Sequence, residues 1–502
     1  MKEWIICNDT DIQNVINKTE QASGIEVYNI YKVSDALKND SNNFDILSII
    51  DGSITDLSLD HIGISKINEN SFNGCTFLKS IKLPKITTIE YTAFKNCTDL
   101  ESIDLPSVTS IANLAFQNCI SLEDVNLPSI TSISPVNVFK ECKALKTVKI
   151  PSVTHVTGFK DFTTLEFVDI SSATSFGEYA FENCTSLKSI DAPLVTSINN
   201  SYAFKNCSSL ESINMPSLTN IASSAFIGCG FSTLDSFNLS KIKSIGNNAF
   251  SSCISLESIT LPSDISIGSY AFSSCTSLKS IELLCSNIVT GLFAECTSLE
   301  FIDLSSVTSI GSYAFSSCTS LTSVNLPSDI SIGSYGFYKC TSLESIDLSK
   351  ATSIGNRAFD GCTSLESVDL LKITIINEST FSACRSLKSV NAPLVTSIGG
   401  YAFYVCSPLT SIDLPLVTSI EVKAFASCIS LDTVILRSET ICTLSNINVF
   451  ENTPIKDGTG YIYVPSTLIE SYKTATNWST YANQFRAIED YPDICSTIGS
   501  EV

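Results

Sequence analysis

From about residue 54 to residue 465 one pattern of apolar and polar positions recurs roughly every 22 residues. Residues 343–364 show it whole: L-E-S-I-D-L-S-K-A-T-S-I-G-N-R-A-F-D-G-C-T-S. Leu343, Ile346 and Leu348 alternate with Glu344, Ser345 and Asp347, which predicts a short strand with the first three side chains inward and the others in solvent. The V-T-S-I segment of the other units is β-branched and predicts a second parallel ladder on another face. A-F-x-x-C then predicts one short helical or 3₁₀ turn with Ala, Phe and Cys inward. Proline follows the strand in ten units, where the missing N–H ends the ladder.

The cysteines give the register: 75, 97, 119, 142, 184, 207, 229, 253, 275, 296, 318, 340, 362, 384, 406 and 428. Phe162 and Thr453 stand at the same place in two further units, making 18. No unit can bury its apolar side alone, so stacked neighbours must join the Leu, Ile, Phe and Cys positions into continuous ladders. At ~4.8 Å per strand, 18 coils would make a rod or arc about 85 Å long. The expected organisation is an N-terminal α/β cap or attachment segment over 1–50, a solenoid over 51–460, and a C-terminal cap and tail over 461–502. Within the first segment, strands are predicted at 4–7 and 25–30 and helices at 9–20 and 34–38. At the other end, Tyr461–Val464 reads as the last strand and Ser466 as the cap of a helix reaching about Thr476.

The repeat A-F-x-x-C-x-x-L followed by x-x-I-x-L-P resembles the BspA-like class of leucine-rich repeats. The resemblance implies a strand-rich, right-handed superhelix with parallel β ladders, capped at both ends. It also implies a cell-surface or secreted binding protein. Residues 472–482 resemble terminal segments that close such arrays in bacterial and bacteriophage-encoded proteins, which would make the chain virion-associated.

Composition narrows the function. With 30 Lys+Arg against 51 Asp+Glu the net charge is −21, which argues against nucleic acid and anionic lipid as partners. No apolar run is long enough for a transmembrane helix, and the N-terminus carries no apolar export segment. There is no phosphate-binding glycine loop, no H-E-x-x-H and no G-x-S-x-G, and His61 and His155 sit in unrelated coils. No catalytic residue, cofactor or metal is therefore expected. The sixteen register cysteines predict a buried, reduced ladder, because parallel side chains in register aim alike and not at one another. Cys7, Cys285, Cys442 and Cys495 lie outside that ladder.

The remaining candidates lie on the solvent side of the first strand. There a Ser stripe runs between acidic rows, with Glu166, Glu300, Glu344 and Glu366 on one side and Asp169, Asp303, Asp347 and Asp369 on the other. Phe167 and Phe301 replace the Ser in two coils, and an exposed aromatic on a polar sheet is a candidate contact point. The leading expectation is a non-enzymatic binding or adhesion module recognising a protein or glycan through this face. The alternative is a structural component of a larger particle, such as a bacteriophage tail or surface appendage, assembled through residues 1–50. The face also has a plain explanation, as a solvated surface whose charges prevent association.

Overall fold

The computed structural model describes residues 4–5, 56–58 and 65–493, with side chains from 65 to 493. The expected helices at 9–20 and 34–38, the strand at 25–30, His61, Cys7 and Cys495 lie outside the described residues. The chain folds as two compact units, Met1–Phe231 with Asp235–Ile242 and Ser232–Leu234 with Lys243–Val502.

Most coils contribute a first strand of two to four residues and a second of two; the coil of Asp124–Asn126 has no second strand, the coil of Ser244–Ile245 no first one, and every recorded pairing is parallel. In the first unit the first strands form one nine-stranded sheet running from Trp4–Ile5 to Ser212–Asn214. Register follows the repeat, as Ser80, Ser102 and Asp124 stand side by side. In the second unit the longest such sheet has six strands, from Ser367–Asp369 to Phe485–Ala487. Leu343, Ile346 and Leu348 are buried as the alternation requires. On the second face a threonine ladder adds side-chain bonds, Thr109 and Thr418 each donating to the carbonyl one coil earlier, Thr87 and Thr396.

The A-F-x-x-C segment makes bonds of the 3₁₀ kind, such as Lys95 N–H to the Thr92 carbonyl (3.1 Å) and Cys97 N–H to the Phe94 carbonyl (3.4 Å). It does not continue as a helix, because two residues per coil adopt φ near +60°, such as Thr92 and Asn96, or Tyr335 and Lys339. A left-handed residue costs an L-amino acid about 1–2 kcal/mol and cannot propagate a right-handed turn. The geometry has a use: it aims alternate N–H groups along the stack. Tyr335, Phe337 and Lys339 donate to the carbonyls of Asn356, Ala358 and Asp360 in the next coil at 2.8–2.9 Å. The turns thus form a third ladder beside the two strand ladders.

Inside, the phenylalanines stack face to face. Centroids lie 4.7–5.7 Å apart from Phe72 through Phe94 and Phe116 to Phe139, and 5.1–5.4 Å apart from Phe159 to Phe226. In the second unit the stack runs unbroken from Phe250 to Phe450. Beside it the cysteines are buried and free. Fourteen thiols lie 3.0–3.4 Å from the carbonyl of the preceding coil's Phe, to which each donates its S–H. Cys285 and Cys442 are buried as well, so neither is an exposed thiol.

The C-terminal end differs from the expectation in two respects. Tyr461–Val464 is not the last strand, because Phe485–Ala487 pairs with it in parallel, Ile462 opposite Phe485. The chain returns there because Trp478 and Tyr481, in a 3₁₀ turn, close the phenylalanine stack. The Trp478 ring lies 6.2 Å and the Tyr481 ring 5.5 Å from Phe450. Trp478 Nε1 and the Tyr472 hydroxyl both hold the Cys442 backbone. Ser466 does not cap a helix: its N–H and hydroxyl bond Glu489, and the helix spans Ile469–Thr474 with Leu468 before it.

Candidate binding face

Two of the coils carry a phenylalanine in the serine column. In the first unit Phe167 is 44% exposed and stands beside Thr147 in the ladder. Glu166 beside it pairs with Lys188 at 2.6 Å, which holds its carboxyl below the usual carboxylate range. Asp169 faces Asp191 one coil on, and Asn214 relieves that pair by donating to Asp191. The three candidates of this unit are thus together, but the glutamate is already neutralised.

The other seven fall in the second unit, on three coils, with the coil of Ser323–Asn325 between the first and the second. Phe301 is 52% exposed and stands beside Ser323. Asp303 accepts from the Ser305 N–H at 3.0 Å and from Asn325 at 2.8 Å, and the Ser305 N–H in particular keeps its carboxyl ionised below the usual range. Asp347 is held low in the same way by Ser349, hydroxyl first and then N–H. Asp369 accepts from Asn391. Glu366 is bridged by Lys388 at 3.0 Å. Among the described residues no basic group lies within ion-pairing distance of Glu300 or Glu344, and the hydroxyls of Ser323, Ser345 and Ser367 make no bond to the protein. Coils 300–369 therefore present an exposed ring, unpaired hydroxyls and two uncompensated carboxylates on one side of the coils, the strands of Phe301, Ser323 and Ser345 in one sheet and Ser367 at the start of the next.

Elsewhere the acidic row is less acidic than composition suggests. Lys79, Lys146 and Lys279 each pair with the glutamate of an adjacent coil, Glu101, Glu123 and Glu257. The signal was readable, since each lysine falls 22 or 23 residues from its partner. Tyr461 is a third aromatic of the serine column, opposite Thr433, with the Arg486 guanidinium 4.2 Å above its ring. Aligning Y-I-Y-V with S-I-D-L would have placed it there. Two outward positions of the same end, Ile435 and Tyr463, are buried because Ile488 packs against them.

His155 is an exposed strand residue with Nδ1 2.9 Å from the Ser175 hydroxyl. Among the described residues no group of three or more His, Cys, Asp or Glu is placed to hold a metal. No helix among them is long and apolar enough to cross a membrane.

Parallel coils of this length, a phenylalanine and cysteine interior and a polar strand face define a leucine-rich-repeat protein. Residues 51–163, 155–279, 196–304, 286–396 and 352–475 match the model of the BspA type leucine rich repeat region, and the chain belongs to that family. A leucine-rich repeat protein from Bacteroides ovatus is 25% identical, with 82% of this chain and 92% of that one covered and a TM-score of 0.41. A leucine rich cell surface protein from Faecalibacterium prausnitzii is also 25% identical, over 68% of this chain and 87% of that one, with a TM-score of 0.33. No functionally curated protein is similar in sequence at a significant level.

Proposed function

We propose that the protein is a non-enzymatic binding module of the adhesion type, and that its partner docks on the strand face around coils 300–369. The observation that carries this reading is the coincidence of exposed Phe301 with unpaired serine hydroxyls and the uncompensated Glu300 and Glu344. An aromatic anchor beside hydrogen-bonding groups on a rigid sheet is what a low-entropy contact needs. The partner chemistry that complements it is a protein or glycan surface that is cationic or rich in hydroxyls. Family membership supports the class of function, since these repeats stack into extended binding surfaces.

The test is a protein and glycan array probed with the full chain and with the Glu300→Lys/Glu344→Lys variant. Binding is expected to weaken at least tenfold in the variant and to fall in the wild type as salt is raised, since exposed charges are screened over ~10 Å at 0.1 M. Equal binding by both proteins would remove the strand face from the account.

A further inference from the structure

At every other described junction within a unit, the turn ladder holds adjacent coils together. Phe116 N–H reaches the Val138 carbonyl and Asn118 N–H the Lys140 carbonyl; two junctions further on, Phe159 reaches Ala180 and Asp161 reaches Glu182. Between those two junctions the ladder is missing. A short helix, Pro135–Val138, takes the Phe139 N–H for its own Pro135 carbonyl. The Glu141 N–H, aimed along the stack by φ +64°, has no partner among the described residues, and neither does the Lys160 carbonyl that should receive it. The thiol rung is lost too, because Phe162 stands where the cysteine should donate to Phe139. The phenylalanine stack resumes only at Phe159, with Phe162 edge-on to it at 5.7 Å. On the strand side the same two coils stay fully paired, Phe167–Asp169 against Thr147–Lys149.

Coils joined along one edge and released along another leave a wedge. It is a cleft of about 570 Å³, lined by Val136, Phe139, Lys140, Lys143, Lys160 and Phe162 among others. That is the size range of sites that take a small molecule or a short peptide segment. Its charge is unusual for this chain: the lining holds three lysines, Lys140, Lys143 and Lys160, against two carboxylates, Glu141 and Asp161, the latter accepting from Asn183, in a chain whose net charge is −21. Lys160 is committed to Glu182 at 2.6 Å and Lys143 to Glu141 at 3.4 Å. Among the described residues Lys140 has no ion-pair partner.

We propose that this cleft takes an extended peptide segment of a partner protein, carrying an apolar side chain and an acidic one. The main chain supplies the missing rung, a carbonyl for the Glu141 N–H and an N–H for the Lys160 carbonyl, as an added strand does at an open sheet edge. The apolar side chain packs on Phe139 and Phe162, and the acidic one pairs with Lys140. This site lies on the turn side of the first unit and is independent of the strand face proposed above.

The probe is a pool of dye-labelled, capped pentapeptides with Phe and Glu fixed at alternate positions, measured by fluorescence polarisation with the full chain. Saturable binding is expected, weakened at least tenfold when Glu is replaced by Lys in the pool or when the backbone is N-methylated. Lys140→Glu is expected to weaken it as strongly. Phe162→Cys, which keeps the residue type of the other coils, is expected to abolish it, whereas Glu300→Lys/Glu344→Lys leaves it unchanged. Circular dichroism confirms that each variant is folded, and hydrogen exchange at the Glu141 amide should slow on binding. No saturable binding, equal binding of the acidic and basic pools, or indifference to both Lys140→Glu and Phe162→Cys would overturn the proposal.

Discussion

Raising the pH from 9 to 12 is expected to unfold the protein in one steep transition. The cause is the thiol ladder. Burial pushes Cys318 from an ordinary thiol value of 9.0 up to about 12, and its fellow rungs Cys275, Cys340 and Cys384 are raised well above that value for the same reason. A group with a raised folded pKa keeps its full stabilising effect below the unfolded value and loses it as pH climbs towards the folded one. For Cys318 alone three pH units correspond to ~4 kcal/mol at pH 12, and a domain's entire stability is about 5–15 kcal/mol. Neighbouring rungs are lost together, because each thiol donates to the coil before it. Circular dichroism against pH should show a midpoint between 9 and 11. Replacing Cys318, Cys340 and Cys362 by alanine should move it upward even if stability at pH 7 falls. A protein that stays folded at pH 12, or a midpoint that ignores those substitutions, would contradict the ladder.

The second large effect is expected at the aromatic stack. Phe337 is buried and stacked at 5.4 Å on both Phe315 and Phe359. Phe337→Ala removes the ring, leaves a cavity and breaks two stacking contacts, at a cost of about 3–5 kcal/mol. Phe301→Ala, which removes an exposed ring of the same size, should stay within about 0.5 kcal/mol. Urea denaturation separates the two. Because each coil touches only its neighbours, Phe337→Ala should also split the unfolding of the second unit into more than one step.

These effects rest on features of very different legibility. The strand alternation, the phenylalanine and cysteine registers and the inward leucines follow from one 22-residue pattern, because each position sees the same neighbours in every coil. The left-handed residues were not readable, since Tyr335, Lys339 and Arg357 carry no glycine-like signature. Their φ is set by N–H groups that must reach the next coil, a contact between residues about 20 apart. The neutralisation of Glu166 and Glu366 was legible by contrast, because Lys188 and Lys388 each stand one repeat further on at the same position. Phe162 stood out as a substitution, but the cleft beside it required knowing that Pro135 would divert the Phe139 N–H. The burial of Tyr463 depends on Ile488, which belongs to no repeat.

The central claim is that partners meet the strand face at Phe301. The most direct measurement places a photo-cross-linking phenylalanine at position 301 and, in a separate protein, at Ile429, which is 63% exposed outside the serine column. With a partner taken from the protein and glycan array, the account predicts strong cross-linking from 301 and little from 429. Equal yields from the two positions, or a yield confined to 429, would contradict it.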